Sequence, residues 1–255
     1  MKISIITVVY NNVSQIKKTI DSVFEQTYKD IEYIIIDGDS TDGSVEIINT
    51  YSTQLAYWEC EKDNGIYHAM NKGWKRATGE YCLFLNSGDY LYDARVIEKV
   101  VQKIEEDPAD IIFGNLFAFD EDKNFVSSFK EPISLYYFQH SFIPHPATFT
   151  RTSLLRKVNG FYEQYKIISD WAFFVNSYLI GSTFKHINVT ITSFYMKGSS
   201  SNQNIAIKDN LDLFNNEFKF LAEDFKNFER LRHFDTSFIT RIARTAPSLK
   251  MKYFG

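Results

Sequence analysis

Short apolar runs alternate with amphipathic stretches along the first part of the chain. Residues 3–9 are rich in β-branched side chains and almost continuously apolar, which is typical of a strand buried on both faces of a parallel sheet. Similar runs occupy residues 31–36, 55–59 and 81–85, so the pattern predicts four strands. The alternation of these strands with helical stretches predicts right-handed βαβ units in a mostly parallel central sheet with flanking helices.

The stretches between the predicted strands carry apolar residues at helical spacing. Ser14 is placed to cap a first helix, and a short second helix follows the polar loop 38–43. A third helix ends before Gly79, a typical C-terminal stop, and residues 95–106 predict a fourth helix. The predicted inward-facing positions are Val13, Ile16, Ile20, Val23, Phe24, Val45, Ile47, Ile48, Ile66, Ala69, Met70, Gly73, Ala77, Val96, Ile97, Val100, Val101 and Ile104.

The pattern changes after residue 106. Residues 110–119 and 124–129 predict paired strands around a polar turn, residues 168–180 predict a helix, and residues 184–195 predict further strands. Irregular loops are indicated at Pro132, Pro144 and Pro146. This half is therefore expected to be α+β in class.

No linker-like stretch separates the two halves. We expect residues 1–204 to form one domain, in which a half of residues 1–106 packs against a half of residues 107–204. The polar run 197–204 predicts a mobile loop, and residues 205–255 predict a helical C-terminal appendage. The apolar positions of the appendage are Leu211, Leu213, Phe214, Phe218, Leu221, Phe225 and Phe228.

The amino-acid composition and the N-terminal residues argue against several classes of protein, among them nucleic-acid binders and secreted proteins. The net charge of −4 argues against a dedicated nucleic-acid binder. The 23 Phe and 16 Tyr exceed ordinary usage, and aromatic faces stack on bases and sugars as well as filling a core. Cys60 and Cys82 lack metal-ligand spacing and are expected to be reduced thiols. The N-terminus is too short and strand-like for a signal peptide and no apolar run approaches a membrane span, so we expect a cytoplasmic protein.

Candidate chemistry lies at the ends of two predicted strands. Asp37 ends the run of residues 34–37, and Asp89 closes the polar turn after residues 83–85. In an open α/β sheet, ligands bind outside the carboxyl ends of the strands. A carboxylate there is a hard oxygen ligand for Mg²⁺ or Mn²⁺ shared with substrate phosphates. The two strand ends together predict a nucleotide–metal site.

Six motifs in a fixed order give the chain a resemblance to a known family. They occupy residues 5–12, 35–44, 63–73, 79–89, 144–149 and 169–171. In this order they resemble the family 2 glycosyltransferases, over roughly residues 3 to 200. The resemblance implies a GT-A-like α/β fold, with a nucleotide-sugar half, an acceptor half and an inverting mechanism.

The resemblance also implies roles for individual residues. Asp170 would be the catalytic base that takes the acceptor proton, and His145 would lie near the donor sugar or diphosphate. Asp89 would hold the metal, Mg²⁺ or Mn²⁺. The implied nucleotide-binding residues are Thr7, Tyr10, Asn11, Asp37, Asp39, Asp63, Lys72, Asn86 and Ser87.

Several of these residues have ordinary structural interpretations that stay open. Asp37 and Asp63 can cap loops, and Asp39, like Asp42, is typical of a turn residue. Lys72 can be a solvated helix lysine, while Asp170 can be a helix N-cap. His145 can be a surface-loop histidine held between two prolines.

The metal motif departs from the form common in the family. Asn86 and Gly88 stand where carboxylates are usual, and only Asp89 is kept. Diphosphate oxygens and water can complete an octahedral site around a single protein carboxylate. We therefore expect metal binding to be weak without nucleotide.

The predicted function is transfer of a sugar from a nucleotide-diphosphate sugar, with a UDP-sugar favoured, to a glycan or lipid-linked glycan. Surface polysaccharide or lipopolysaccharide synthesis is the expected setting. A catalytically silent nucleotide- or glycan-binding member of the same fold is the alternative. A dinucleotide-binding enzyme is disfavoured because the first turn, residues 10–14, lacks glycine.

The C-terminal tail allows two interpretations. Its basic and apolar residues are typical of a helix lying on an anionic membrane, and equally of a solvated helix end. The first interpretation predicts peripheral contact with the inner face of the membrane. The residues concerned are Phe238, Ile239, Arg241, Ile242, Arg244, Leu249, Lys250, Met251, Lys252 and Phe254.

Overall fold

A nine-stranded sheet runs through the first 195 residues of the computed structural model, which describes residues 1–127, 129, 132–196 and 203–227. Its strand order is β3-β2-β1-β4-β8-β6-β9-β5, with β7 paired to β6. The strands are β1 (Ile3–Val9), β2 (Ile31–Asp37), β3 (Tyr57–Cys60), β4 (Tyr81–Phe84), β5 (Tyr90–Leu91), β6 (Ile111–Phe119), β7 (Asn124–Ser127), β8 (Thr148–Arg151) and β9 (Phe184–Tyr195).

Of the α-helices that accompany these strands, eight have both ends within the described part of the chain. They are α1 (Ile16–Phe24), α2 (Ser44–Thr50), α3 (Ile66–Arg76), α4 (Val96–Glu106), α5 (Leu135–His140), α6 (Thr152–Val158), α7 (Ser169–Leu179) and α8 (Gln203–Asn216). A 3-10 turn at His145–Ala147 precedes β8.

The first four strands are parallel to one another, as the sequence predicts. β1 pairs with β2 and β4, and β2 pairs with β3. All seven residues of β1 are buried, which explains its continuous apolar character. Because the pairing is parallel, the last residues of β1, β2 and β3 are in register at the carboxyl ends of the strands. These residues are Val9, Asp37 and Cys60.

Helices cover both faces of this parallel part. Ile3 and Ile5 of β1 belong to one core cluster with Ile16 and Ile20 of α1. The next residue, Ile6, points to the other face, where α3 packs on β1 and β2. Alternate residues of one strand thus bury against different helices, which is the expected two-sided α/β arrangement.

The second half of the sheet is mixed. β8 runs antiparallel between β4 and β6, whereas β9 is parallel to β6 and antiparallel to β5. The predicted hairpin of β6 and β7 is confirmed. Residues 184–195, predicted as further strands, form one twelve-residue strand. The elements β5, β8, α5 and α6 lack a counterpart in the sequence analysis, since each has seven residues or fewer and shows little periodicity.

Two helix boundaries differ from their predictions. Ser14 does not cap α1, which begins after Gln15 with no side-chain cap. The backbone N–H of Val13 donates to Asp42 Oδ2 at 2.8 Å, and this loop contact leaves Val13 39% exposed instead of in the apolar stripe. Gly79 does not stop α3, which ends at Arg76, and its N–H donates instead to Ser4 Oγ.

Backbone contacts divide the chain into two units, Met1–Asp209 and Asn210–Gly255. In the described part of the second unit, the ring of Phe214 contacts the rings of Phe218 and Phe225. No helix in the described ranges is both long and apolar enough to span a lipid bilayer. Most of the predicted polar loop, and the whole C-terminal tail with Phe228, lie outside the described residues.

Candidate active site

The turn after β1 forms one wall of the candidate site. Asn11 adopts a left-handed conformation (φ 48°), in which its N–H donates to Ser40 Oγ and its Oδ1 accepts from the N–H of Thr41. Asn12 donates from its amide to the carbonyl oxygen and hydroxyl of Ser87. The first turn is therefore tied to the loops that follow β2 and β4.

Asp37 is fully buried at the end of β2. Its Oδ1 accepts hydrogen bonds from the N–H of Ser40 at 2.8 Å and from Cys60 Sγ at 3.1 Å. Its Oδ2 is buried and has no hydrogen-bond partner among the described residues. One oxygen thus shapes the loop, as the capping interpretation expects, and the other stays available for a donor on a ligand.

Tyr10, Gly38 and Asp63 meet beside Asp37. A side chain at position 38 would place its Cβ 2.5 Å from Asp63 Oδ2 and 3.4 Å from the Tyr10 ring, so only glycine allows this approach. Asp63 Oδ1 accepts from the N–H of Gly65 just before α3, which is the predicted loop-capping contact. Tyr10 is 66% exposed and offers an aromatic face at this edge. Asp39 follows with a left-handed φ of 73°, typical of a turn residue.

Thr7 lies beneath this surface. Its side chain is fully buried, pairs with the Tyr33 hydroxyl at 2.9 Å and donates to the Leu85 carbonyl at 2.8 Å. The structure therefore does not bring the Thr7 hydroxyl to the edge where Tyr10 and Asp37 lie.

The turn after β4 is held by two neighbouring elements, β1 and α1. The N–H of Ser87 donates to the Val8 carbonyl at 3.0 Å. Thr19 of α1 donates its hydroxyl to the Asp89 carbonyl and accepts from the N–H of Gly88. Gly88 has a φ of 107°, which side-chain-bearing residues rarely adopt, so glycine at this motif position meets a backbone requirement.

Asp89 is the most unusual ionisable group of the site. Its side chain is almost completely buried, and no group in the described part of the chain donates a hydrogen bond to it. Burial raises the pKa of this carboxyl well above its usual value. Asn86 Oδ1, in the same turn, is also buried without a hydrogen-bond partner.

These two oxygens fit a hard divalent cation. Carboxylate and amide oxygens suit Mg²⁺ or Mn²⁺, which accept one or two protein ligands when phosphates and water supply the rest. The described residues contain no group of three or more His, Cys, Asp or Glu side chains arranged for a metal ion. Asp89 would therefore hold a cation mainly together with a nucleotide diphosphate.

Lys72 is engaged in ion pairs. Its ammonium lies 2.5 Å from Glu59 Oε1 and 3.2 Å from Glu61 Oε2. Burial by itself lowers the pKa of Lys72, but the hydrogen bonds to the two glutamates outweigh burial and raise it overall. Lys72 is thus a paired lysine on α3, and a phosphate would have to compete with two carboxylates for it.

Asp170 is the second residue of α7. The helix begins at Ser169 after Ile168, so Asp170 is not the N-cap. Its Oδ1 accepts from the N–H of Trp171 at 2.8 Å and lies 3.1 Å from the Tyr67 hydroxyl. That hydroxyl is also 2.6 Å from the Ile167 carbonyl, and one proton must serve both acceptors. Oδ2 is therefore the Asp170 oxygen left for a ligand.

The segment before Asp170 is fixed from two sides. Asp209 Oδ2 accepts from the N–H groups of Lys166 and Ile167 at 2.6 and 2.8 Å. Tyr67 of α3 contacts the Ile167 carbonyl from the opposite end of the segment. Two anchors on either side of a short segment restrict where the Asp170 carboxylate can lie.

His145 is a buried side chain, not an exposed loop histidine. Its ring stacks on Phe84 with 5.3 Å between centroids and meets the edges of Phe161 and Phe174. Burial lowers the pKa of His145, and the nearby Asp170 carboxylate offsets part of this effect. A neutral imidazole is therefore expected at neutral pH.

Short steps along the chain and through space relate the three predicted carboxylates Asp37, Asp89 and Asp170 to one another. Asp37 is next to Gly38, which touches Asp63, and Asp63 fixes the start of α3. From α3, Tyr67 reaches Asp170, and Asp170 acts electrostatically on His145. His145 stacks on Phe84, the last residue of β4 before the Asp89 turn. The Thr7 hydroxyl is turned into the core and Lys72 is held by two glutamates, so these two predicted residues are engaged within the protein.

Sequence reasoning missed three residues that hold the site together. Asn12 and Thr19 fix the turn of residues 86–89, and Tyr67 contacts Asp170 across 103 positions of sequence. Asn12 and Tyr67 stand inside the motifs 5–12 and 63–73, so their positions were a usable signal. Thr19 gave none, because a threonine on the buried side of a helix is ordinary.

Comparison with known proteins gives a consistent result. The sequence model of glycosyl transferase family 2 matches residues 4–168. The PGL/p-HBAD biosynthesis glycosyltransferase of Mycobacterium bovis (strain BCG / Pasteur 1173P2) is 30% identical over 207 residues, 78% of this chain and 78% of the relative. An uncharacterized glycosyltransferase of Mycobacterium tuberculosis (strain ATCC 25618 / H37Rv) is 31% identical over 186 residues, 70% of this chain and 69% of the relative.

Solved structures with the same architecture have lower sequence identity. S. aureus TarS 1–349 in complex with UDP-GlcNAc has a TM-score of 0.70 and 21% identity, covering 98% of this chain and 78% of TarS. The mannosyltransferase PcManGT from Pyrobaculum calidifontis, in complex with GDP-Man and Mn²⁺, has a TM-score of 0.65 and 16% identity. That match covers 86% of this chain and 64% of the mannosyltransferase. At these sequence identities, the two structural similarities show that the chain has the same fold as these proteins, and nothing further.

Proposed function

Because the chain belongs to glycosyl transferase family 2, we propose that it moves a sugar from a nucleotide-diphosphate sugar to a hydroxyl of a glycan or lipid-linked glycan. It is a glycosyltransferase with a GT-A-like fold. What we propose beyond this is the class of donor and acceptor, the inversion of configuration at the anomeric carbon, and the catalytic and binding residues. Surface polysaccharide or lipopolysaccharide synthesis is the setting we propose for it.

The observation that carries the proposal is the buried carboxylate of Asp89. A buried carboxylate with a raised pKa and no hydrogen-bond donor among the described residues is costly to keep in the turn before β5. A cation shared with a diphosphate would compensate that cost, because it replaces the missing donors with a charge. Asp37 Oδ2, unpartnered among the described residues at the end of β2, two strands away from β4, would accept from a ribose hydroxyl or base N–H.

The reaction we propose is a direct displacement. The acceptor oxygen forms a bond to the anomeric carbon, the bond from that carbon to the diphosphate oxygen breaks, and the configuration inverts. Asp170 takes the acceptor proton, which strengthens the nucleophile. A divalent cation bound at Asp89 and the diphosphate would neutralise the charge that develops on the leaving group.

Tyr67 and His145 support this arrangement. Tyr67 restrains Oδ1 of Asp170, so the other oxygen is presented to the acceptor. The neutral His145 imidazole, held against Phe84, can donate a hydrogen bond near the donor without adding a positive charge. Lys72 is assigned no direct phosphate contact, because Glu59 and Glu61 already hold its ammonium.

The donor we favour is a UDP-sugar. TarS was solved with UDP-GlcNAc and with UDP, while the mannosyltransferase was solved with GDP-Man and Mn²⁺. A panel containing UDP- and GDP-sugars therefore covers both bases. Thermal shift with each nucleotide sugar, with and without Mn²⁺, identifies the base before any acceptor is known.

Two matched variants test the catalytic roles. Asp89→Asn and Asp170→Asn each remove one charge while keeping shape, and each is expected to lower the turnover of transfer by roughly 10²-fold or more. Asp170→Asn should still bind donor, whereas Asp89→Asn should lose the Mn²⁺-dependent part of donor binding. Near-normal turnover in either variant would refute the role given to that residue. Asp122→Asn, in the exposed β6–β7 turn, is a control.

A catalytically silent member of the fold is the second candidate. Asn86 and Gly88, where carboxylates are usual in the metal motif, favour it. This candidate would be rejected if wild-type protein released free sugar or nucleoside diphosphate from a bound nucleotide sugar and the Asp89→Asn variant did not. Donor binding without any turnover across the acceptors tested would favour it.

A further inference from the structure

An aromatic layer covers one face of the mixed half of the sheet. We define this aromatic platform as Tyr90, Tyr92, Phe117, Phe119 and Tyr195. Tyr90 and Phe119 lie 5.9 Å apart between ring centroids, and Tyr92 and Phe117 lie 5.7 Å apart. Phe119 also contacts Tyr195 at 5.7 Å. The rings form one connected surface, and Tyr92 is 46% exposed.

The register of the sheet explains how rings from separate strands meet. Ser193 of β9 is paired with Tyr90 on one side and with Phe117 on the other. The Ser193 side chain is small and buried, so rings from the flanking strands can lean over it. Val126 of β7, paired with Phe117 and 48% exposed, extends the same face.

The platform borders a groove between α1 and β5. The groove has a volume of about 530 Å³, within the range of small-ligand sites. Tyr90 and Tyr92 belong to both surfaces, and the Lys18 ammonium lies 3.5 Å from the centroid of the Tyr90 ring. The rest of the lining includes the apolar residues Leu91 and Ala94, and polar residues of both charges: Ser14, Lys17, Asp21, Ser22, Glu25, Gln26 and Asp93.

The cations of the groove are already occupied. Lys17 pairs with Asp21 at 2.6 Å, and Lys18 lies over the Tyr90 ring. Asp93 in turn pairs with Lys99 at 2.7 Å. A phosphorylated ligand would compete with Asp21 for Lys17 and would meet only Lys18 without an anionic partner among the described residues. An apolar helix would bury these ion pairs at a cost. An uncharged ligand with many hydroxyls and apolar C–H faces fits both the polar groove and the rings.

Two residues that line the groove are the chain neighbours of residues in or at the Asp89 turn. Tyr90 is the residue after Asp89, and Thr19, whose hydroxyl fixes the Asp89 turn, is the residue after Lys18. We propose that the platform and groove bind the part of a neutral oligosaccharide acceptor that does not react. This inference rests on the proposed function, and it implies an acceptor of several sugar units.

Oligosaccharide binding in the absence of donor tests this proposal. The probes are maltohexaose, cellohexaose, chitohexaose and mannohexaose. Saturation-transfer NMR measures the binding of each probe to the full chain. At least one should bind wild-type protein, and Tyr92→Ala should weaken that binding by about tenfold, since one stacked ring is lost. Tyr92→Phe keeps the ring and should stay within about threefold of wild type.

Phe125→Ala is the matched control. Phe125 is 50% exposed on β7 but pairs with Ala118, so it points to the face opposite Phe117. It should bind oligosaccharide as wild type does. Failure of all four probes to bind, equal binding by Tyr92→Ala, or an equal loss in Phe125→Ala would each overturn the proposal.

Nucleotide binding separates this proposal from the proposed function. If no UDP or GDP sugar shifts the melting temperature, the donor assignment fails, whatever the platform binds. If a nucleotide sugar binds to wild type and to Tyr92→Ala alike while no oligosaccharide does, the platform assignment fails alone. The Tyr92→Ala thermal shift also verifies that the variant is folded.

Discussion

At the scale of single residues, Asp89 and His145 are buried ionisable groups whose pKa values move in opposite directions. Burial raises the pKa of the acid and lowers that of the base, because in both cases it disfavours the charged form. Each group therefore makes stability depend on pH, and the two effects have opposite signs.

Asp89→Asn should stabilise the metal-free protein at neutral pH while abolishing transfer. The pKa of Asp89 is raised on folding, so its favourable contribution is complete below the unfolded value and is lost as pH rises toward the folded value. The variant's advantage in melting temperature should shrink as pH falls toward about 4. Melting curves of both proteins with chelator at several pH values check this. A variant no more stable than wild type at pH 7 would contradict it.

Wild type should lose stability as pH falls because of His145, and the His145→Gln variant should lack this loss. The pKa of His145 is lowered on folding, so its contribution is present above the unfolded value near 6.5 and is lost as pH falls. Between about pH 7 and 5, urea midpoints of wild type should fall more steeply than those of the variant. His140→Gln, in an exposed position, is the control and should follow wild type. Parallel slopes for His145→Gln and wild type would be evidence against a buried neutral imidazole.

At the scale of elements, α3 connects the parallel part of the sheet to the segment that carries Asp170. Tyr67 contacts Ile167 and Asp170 from its first turn. One turn later, Asn71 donates to the Phe161 carbonyl and to Glu163, and accepts from Trp74 Nε1 and the N–H of Phe161. Asn71 is almost fully buried and its hydrogen-bonding capacity is filled.

Asn71→Ala should lower the free energy of unfolding by about 2–4 kcal/mol, because it leaves several buried groups without partners. Urea unfolding measures this value. Asn49→Ala changes an exposed position of α2 and should alter stability by less than about 0.5 kcal/mol. A loss below about 1 kcal/mol for Asn71→Ala would mean that α3 does not depend on this link.

How far the sequence predicts each element depends on its length and its pattern. The strands β1, β2 and β4 are buried on both faces, and their continuous apolar runs reveal them directly. The four residues of β8 follow Pro144 and Pro146, so the prolines dominate the local signal and the strand passes unnoticed. Strand ends likewise indicate Asp37 and Asp89, whereas the contact of Tyr67 with Asp170 depends on tertiary packing that no local pattern encodes.

At the scale of the whole molecule, donor and cation are expected to bind as a coupled pair. The described residues offer a cation one carboxylate, Asp89, and the amide oxygen of Asn86, with no cluster of three acidic, His or Cys side chains. The remaining ligands must come from the diphosphate and water, so donor and cation should each raise the affinity for the other by the same factor.

Melting experiments give this coupling a measurable form. A ligand present at 100 times its dissociation constant adds about 2.7 kcal/mol to the stability of the folded state. Mn²⁺ alone should therefore shift the melting temperature little, and the nucleotide sugar alone moderately, while both together should exceed the sum of the two shifts. Chelator should return the combined shift to that of the sugar alone.

Asp89→Asn should remove the excess and leave the shift due to nucleotide sugar alone, since Asp37 and Tyr10 are unchanged. Additive shifts in wild type would contradict the shared site, and an undiminished excess in Asp89→Asn would assign the cation to another carboxylate. The measurement needs no acceptor. It therefore tests the association of the Asp89 turn with the donor before the chemistry of transfer is known.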